Sequence, residues 1–274
     1  MSIKPLLLIF LFILNLWANE RIISLSPSIT EIIYGLHRGN ELVGTSAYSL
    51  YPKEAQKLPV IGSYENQKLE KIIALSPTLI VGQTFNQNTL NKLKTFGIKT
   101  LTLHLTTLKN IQNSIKKLGT VLGAEKEANK LTTNITNAIT NAPKAKHPHS
   151  VMIVYGLKED LRNGIYIAGH NIFFDDIIQA CGNTNAYTSQ TTNQPVLSYE
   201  NVIALNPEQI IILHSHASEP NVNVKKALQN WYTLPTKAAK NKKISILDEN
   251  YLHIPSQRVA LTIQRLCRQM KFDK

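Results

Sequence analysis

The chain has 274 residues, with 43% hydrophobic, 18% charged and 7% aromatic side chains, a composition that excludes a disordered chain and a protein embedded throughout in membrane. At roughly 150 residues per domain, the length allows two compact cores or one large α/β sheet. Lys and Arg number 30 against 18 Asp and Glu, and the formal charge of +12 points first to a polyanion such as nucleic acid or an anionic membrane surface.

The first residues redirect that reading. Met1 to Lys4 form a basic start, Leu6 to Trp17 are apolar apart from Asn15, and the small Ala18 follows. A run of about a dozen apolar residues is short of the roughly 20 that span a bilayer as a helix. Residues 1–18 therefore read as a signal peptide cleaved near Ala18, against the competing reading of an uncleaved anchor. No cysteine follows the apolar run to carry a lipid, and no later segment is long and apolar enough to span. The mature protein is expected in a bacterial periplasm, as a monomer out of reach of nucleic acid. In that oxidising compartment the only two cysteines, Cys181 and Cys267, are expected to pair, with two buried thiols as the alternative.

Short runs rich in Ile, Val and Leu then alternate with helical patterns, the sequence form of βα units around a mostly parallel sheet. Strands are predicted over Arg21–Leu25, Leu42–Thr45, Leu79–Val81 and Lys99–Leu103, and helices after Ser26-Pro27 and over Lys68–Leu75 and Thr89–Phe96. From Thr107 the pattern stays helical for more than thirty residues, with breaks expected at Gly119 and Gly123. The stretch Ala124–Ala142 is expected to form a rod. Beyond Pro143–Pro148, strands are predicted over Val151–Tyr155, Ile165–Ala168, Gln209–Leu213 and Lys243–Leu247, with helices over Ile172–Ala180, Tyr199–Leu205 and Ser256–Met270.

Glu70-Lys-Ile-Ile-Ala-Leu-Ser-Pro77-Thr-Leu-Ile80 recurs as Glu200-Asn-Val-Ile-Ala-Leu-Asn-Pro207-Glu-Gln-Ile210, offset by 130 residues. Shared Glu and Pro at the same places in a helix-turn-strand pattern point to a duplicated lobe. The fold class is therefore α/β, with two three-layer Rossmann-like lobes joined by a single long helix. The divisions are an N-terminal lobe at 19–122, a connecting helix at 123–146 and a C-terminal lobe at 147–274. A cleft between two lobes is a favoured place for a small-molecule site.

No nucleophile elbow, phosphate loop, HExxH or CxxC occurs, so the chain does not read as an enzyme. Histidines follow several strands: His104, the pair His214 and His216, and His253 in the last loop. Such positions open on the ligand crevice of an α/β sheet, but loop histidines without further ligands are more often plain polar surface, and no metal site is assigned. Tyr48, Tyr51, Tyr64, Phe85, Tyr166 and Tyr251 lie in loops or at strand ends, where an aromatic face can cover a large ring system. Glu70 and Glu200 each sit in the first turn of a helix, where the dipole favours an acid.

Together, Arg21-Ile-Ile-Ser-Leu-Ser-Pro-Ser-Ile-Thr-Glu31, Ser46-Ala-Tyr48-Ser-Leu-Tyr-Pro52, Leu69 to Pro77, Ile167-Ala-Gly169, Cys181-Gly182, Ser198-Tyr-Glu200 and Arg258 carry a resemblance. Over essentially all of the mature chain, the sequence resembles the periplasmic binding proteins of ABC importers with a rigid inter-lobe helix. That class carries vitamin B12, ferric siderophores and haem, and the vitamin B12-binding members are the most similar. The resemblance implies that Glu70 and Glu200 dock onto arginines of a membrane permease and that Cys181 and Cys267 form a disulfide. It also implies a ligand site at Tyr48, Tyr64, Gln83, Phe85, Tyr166, Asn250, Tyr251 and His253. Within that site Tyr64 and Tyr251 replace tryptophans, a further tryptophan after Val81 is missing, and two acids of the last cleft loop become Asn250 and His253. The expected cargo is cobalamin or another corrinoid, with haem, a ferric siderophore or another metal chelate as the alternative, and no resident cofactor is expected.

Overall fold

The computed structural model describes residues 20–63, 66–189, 194–215, 219 and 221–271. The signal segment 1–18, Tyr64 and His216 lie outside the described residues.

The first sheet consists of β1 (Ile22–Ser24), β2 (Leu42–Thr45), β3 (Leu79–Gln83) and β4 (Lys99–Leu103), in the order β2-β1-β3-β4 with all pairs parallel. Its strands alternate between two apolar layers. Ile22 and Val81 face one cluster while Ile23 and Ile80 face another, so both faces must be covered by helices. The covering helices include α1 (Pro27–Gly35), α2 (Leu69–Ala74), α3 (Gln87–Thr95) and α4 (Leu108–Val121). Helix α1 starts where the sequence indicates, with Ser26 capping through its side chain and Pro27 at the first turn.

The expected break at Gly119 is not there. Gly119 is buried inside α4, and a Cβ at its position would lie 2.5 Å from the Cβ of Ala128. The glycine lets α5 (Glu125–Thr140) approach closely, and the chain breaks only at Leu122–Ala124, with Gly123 at φ 57. At 1.5 Å per residue, α5 is about 24 Å long. It packs on α4, on α6 (Phe173–Ala180) and on α10 (Val259–Met270).

The second sheet runs β10-β9-β5-β6-β8, with β7 also on β5. Its strands are β5 (Ser150–Tyr155), β6 (Ile165–Ile167), β7 (Thr184–Asn185), β8 (Val196–Leu197), β9 (Gln209–Leu213) and β10 (Ile244–Leu247). β6 and β8 are antiparallel to their neighbours, because β6 returns from β5 through a short loop with no crossover helix. The strands β4-β3-β1 and β10-β9-β5 occupy matching places in the two sheets. The repeated segment matches too: after α2 and α7 (Tyr199–Leu205) the residue before the shared proline is left-handed in both, Ser76 at φ 46 and Asn206 at φ 47, ahead of β3 and β9.

Between Leu213 and Lys243, where the sequence pattern assigns nothing, α8 (Val224–Tyr232) and α9 (Lys237–Lys240) form. Trp231, 1% exposed, fixes α8 to the outer layer of this lobe. The final helix begins at Val259, three residues later than the pattern from Ser256 suggests. One apolar cluster runs through both lobes, from Ile22 and Ile111 to Ile135, Phe174, Leu213 and Leu266, so the lobes share a core behind the cleft. Backbone bonds reinforce that seam: Phe173 N–H donates to Thr106 C=O at 2.6 Å, and Leu108 N–H to Asp176 Oδ2 at 2.7 Å. Cys181 and Cys267 form the expected disulfide, with Cα atoms 5.0 Å apart, tying the end of α6 to α10.

Candidate ligand cleft

Parallel strands deliver their carboxyl ends to one edge of a sheet, where ligands of α/β proteins bind. Here both sheets do so toward each other. The residues just beyond β1, β2, β3, β5, β9 and β10 include Ser26, Tyr48, Phe85, Gly156, His214 and Asp248, and all of them line one cavity of about 890 Å³. A volume of that size is at the upper end of small-molecule sites.

Of the residues expected in the site, Tyr48, Gln83, Phe85, Tyr166, Asn250 and His253 line the cavity. Tyr251 does not. It packs part-buried against the core, its hydroxyl pushed up by burial and by Glu249. His104 is also outside, with Nδ1 3.0 Å from Thr84 Oγ1. His214 does line the cavity, but its Nδ1 is paired with Glu219 Oε2 at 2.8 Å. Among the described residues no group of His, Cys, Asp and Glu is placed to hold a metal ion.

The rim is aromatic and open. Tyr48 is 62% exposed, Phe85 54% and Tyr166 47%, and Tyr51 and Leu50 join them on the lining. Tyr48 holds a left-handed backbone, φ 63, of the kind that costs of order 1–3 kcal/mol and clusters at ligand clamps. Deeper in, Tyr155 and His253 stand with ring centroids 6.3 Å apart. Burial raises the Tyr155 hydroxyl, and burial lowers His253, which therefore stays neutral near pH 7. His253 Nε2 is buried with no hydrogen-bond partner among the described residues.

Sequence reasoning left Glu31, Lys158 and Arg258 without a role in the cleft, yet all three line it. Glu31, 3% exposed on α1, accepts from Ser256 Oγ at 2.6 Å and from Arg258 Nε at 2.9 Å, and pairs again with Arg258 Nη2. Arg258 Nη1 donates to Asn250 Oδ1 at 3.0 Å, and its guanidinium lies 3.9 Å over the Tyr51 ring. Lys158 Nζ donates to the carbonyls of Asn163 and Gly164 at 3.1 and 2.8 Å and lies 4.6 Å over the Tyr166 ring. The only available signal was the presence of Glu31 and Arg258 in family-like segments, since 227 residues separate them.

Glu70 and Glu200 are exposed in the first turns of α2 and α7. Hydrogen bonds from Ser198 and Tyr199 hold the Glu200 carboxyl below its ordinary range.

A family model of periplasmic binding proteins matches residues 22–251. The chain belongs to this family. It is 28% identical over 256 residues to a vitamin B12-binding protein of Pectobacterium atrosepticum, covering 92% of this chain and 88% of that one. It is 27% identical over 269 residues to a vitamin B12-binding protein of Yersinia pestis, covering 96% and 91%. Among solved structures, the apo periplasmic heme-binding protein RhuT from Roseiflexus sp. RS-1 superposes with a TM-score of 0.77 at 26% identity, covering 91% of this chain and 97% of that one. The periplasmic vitamin B12-binding protein BtuF of Vibrio cholerae superposes with a TM-score of 0.73 at 24% identity, covering 92% and 96%, a likeness of fold. Two lobes facing one cleft are the architecture that this periplasmic binding protein shares with both.

Proposed function

We propose that the chain is exported by its N-terminal signal segment and captures a corrinoid of the cobalamin type between its lobes. It then delivers the ligand to an ABC permease that docks on Glu70 and Glu200. It acts as a monomer, without catalysis and without a resident cofactor.

The observation that carries the ligand reading is the charge of the cleft. Among the described residues its lining holds three carboxylates, Glu31, Glu219 and Asp248, against two cations, Lys158 and Arg258, and both cations already make bonds within the protein. A ligand carboxylate would find Arg258 neutralised by Glu31 and only the third N–H of Lys158 to pair with, a costly burial. Uncharged amides are suited instead. Gln83 is held at both ends, its Nε2 on Ser26 and its side-chain oxygen accepting from Asn86 N–H, whereas Asn250 uses only its Oδ1, on Arg258, and keeps its NH2 for a ligand amide, while the aromatic rim covers a flat macrocycle. The vitamin B12-binding relatives support the same class.

Titrating purified protein with cyanocobalamin in a calorimeter tests this reading, with binding expected at micromolar concentrations or tighter; absence of heat there refutes the corrinoid. Glu70→Ala combined with Glu200→Ala is expected to leave that affinity unchanged and to abolish uptake by cells. Persisting uptake removes the docking role.

The place of the neutral His253 on the cavity lining supports a second reading, haem or another iron chelate with its imidazole turned onto the metal. Protein purified from its host would then carry a Soret band that His253→Ala removes.

A further inference from the structure

Glu31 and Arg258 come from opposite ends of the chain and meet across the floor of the cleft. α1 of the first lobe supplies the acid, and the turn entering α10 supplies both Arg258 and Ser256. The pair is nearly closed to water, with side-chain exposures of 11% for Arg258 and 4% for Glu31. Among the described residues the guanidinium is turned inward, with two bonds to Glu31, one to Asn250, and a face on Tyr51. Fixed planar forks of this kind are the strongest carboxylate anchors a protein has. An arginine facing a ligand cavity would ordinarily bind an anionic ligand group, but here a carboxylate of the protein itself already occupies that role.

We propose that Glu31 is a specificity-determining residue: it clasps Arg258 across the lobes and so withholds from ligand carboxylates the cation best placed to bind them. Removing the acid frees the arginine and shifts the site toward anionic chelates. This rests on the corrinoid reading only for which ligand the native protein prefers; the effect on an anionic probe does not depend on it.

The test uses Glu31→Gln, which keeps the shape and one acceptor for Ser256, with hemin, a dicarboxylate, and cyanocobalamin, which carries neutral amides, as probes on the full mature chain. Hemin is expected to bind the variant at least tenfold more tightly than the native protein, and most of the gain is expected to persist in 0.5 M salt because Arg258 is nearly closed to water. Adding Arg258→Met to Glu31→Gln is expected to abolish the gain while leaving a neutral pair that still folds, checked by thermal melting. Unchanged or weaker hemin binding by Glu31→Gln overturns the proposal, as does a gain that survives Arg258→Met. Native protein that binds no cyanocobalamin would refute the corrinoid reading instead, and the hemin comparison would still decide the role of Glu31.

Discussion

Phe85 offers the sharpest test of the aromatic rim. It stands just beyond β3 on the cavity lining, with 54% of its surface exposed. With about 200 Å² for a large aromatic side chain, roughly 100 Å² remains for a bound macrocycle to cover. At about 25 cal/mol per Å² that is worth about 2.5 kcal/mol, or roughly 70-fold in Kd. Phe85→Ala should therefore weaken cyanocobalamin binding by tens of fold in calorimetry, with little change in melting temperature because the ring is half out of the core. Phe96 is the control. It is 62% exposed at the end of α3 and does not line the cavity, so Phe96→Ala should leave affinity unchanged. A loss below threefold for Phe85→Ala, or equal losses for the two variants, would refute the reasoning.

Replacing Cys181 and Cys267 together by Ala should destabilise the protein by up to about 4–5 kcal/mol, the chain-entropy value for their 86-residue separation. Denaturant titration reads this loss, and ligand affinity should hold because neither cysteine lines the cavity. Gly119→Ala should cost about 1–3 kcal/mol through overpacking against Ala128; a melting series in which Ala128→Gly restores nothing would exclude that contact as the cause. His253 has its pKa lowered by burial, so the unfolded chain binds its proton more readily than the folded one. Stability should fall as pH drops below about 6.5, the unfolded value; His253→Leu should flatten that limb in melts taken from pH 7.5 to 5.

Much of the architecture was legible because it is written in local chemistry. The β-branched runs at 22–25, 79–81 and 209–213 name strands, and Ser26-Pro27 names a helix start. The Glu70 and Glu200 repeats, 130 residues apart, name the duplication that Ser76 and Asn206 confirm by sharing one left-handed turn. The helices at 224–232 and 237–240 were hidden because their apolar face depends on Trp231 and a few alanines packed against distant strands.

The cleft divides in the same way. Tyr48, Phe85 and Tyr166 could be placed from sequence because each follows or occupies a strand whose end position is a local property, whereas Gln83 came only from the family resemblance. Tyr251 looked equivalent and is not, since only the packing of the last loop turns its ring to the core while His253 takes the cavity side. Gly119 looked like a helix end and is a close approach between two helices.

Sequence alone thus determined the compartment expected for the chain, its α/β alternation, its duplication and the aromatic character of its site, all properties of neighbouring residues. Only the tertiary structure decided which charges line the cleft. Glu31 neutralises Arg258 across 227 positions of sequence, and pairing over that distance is set by how two sheets face each other.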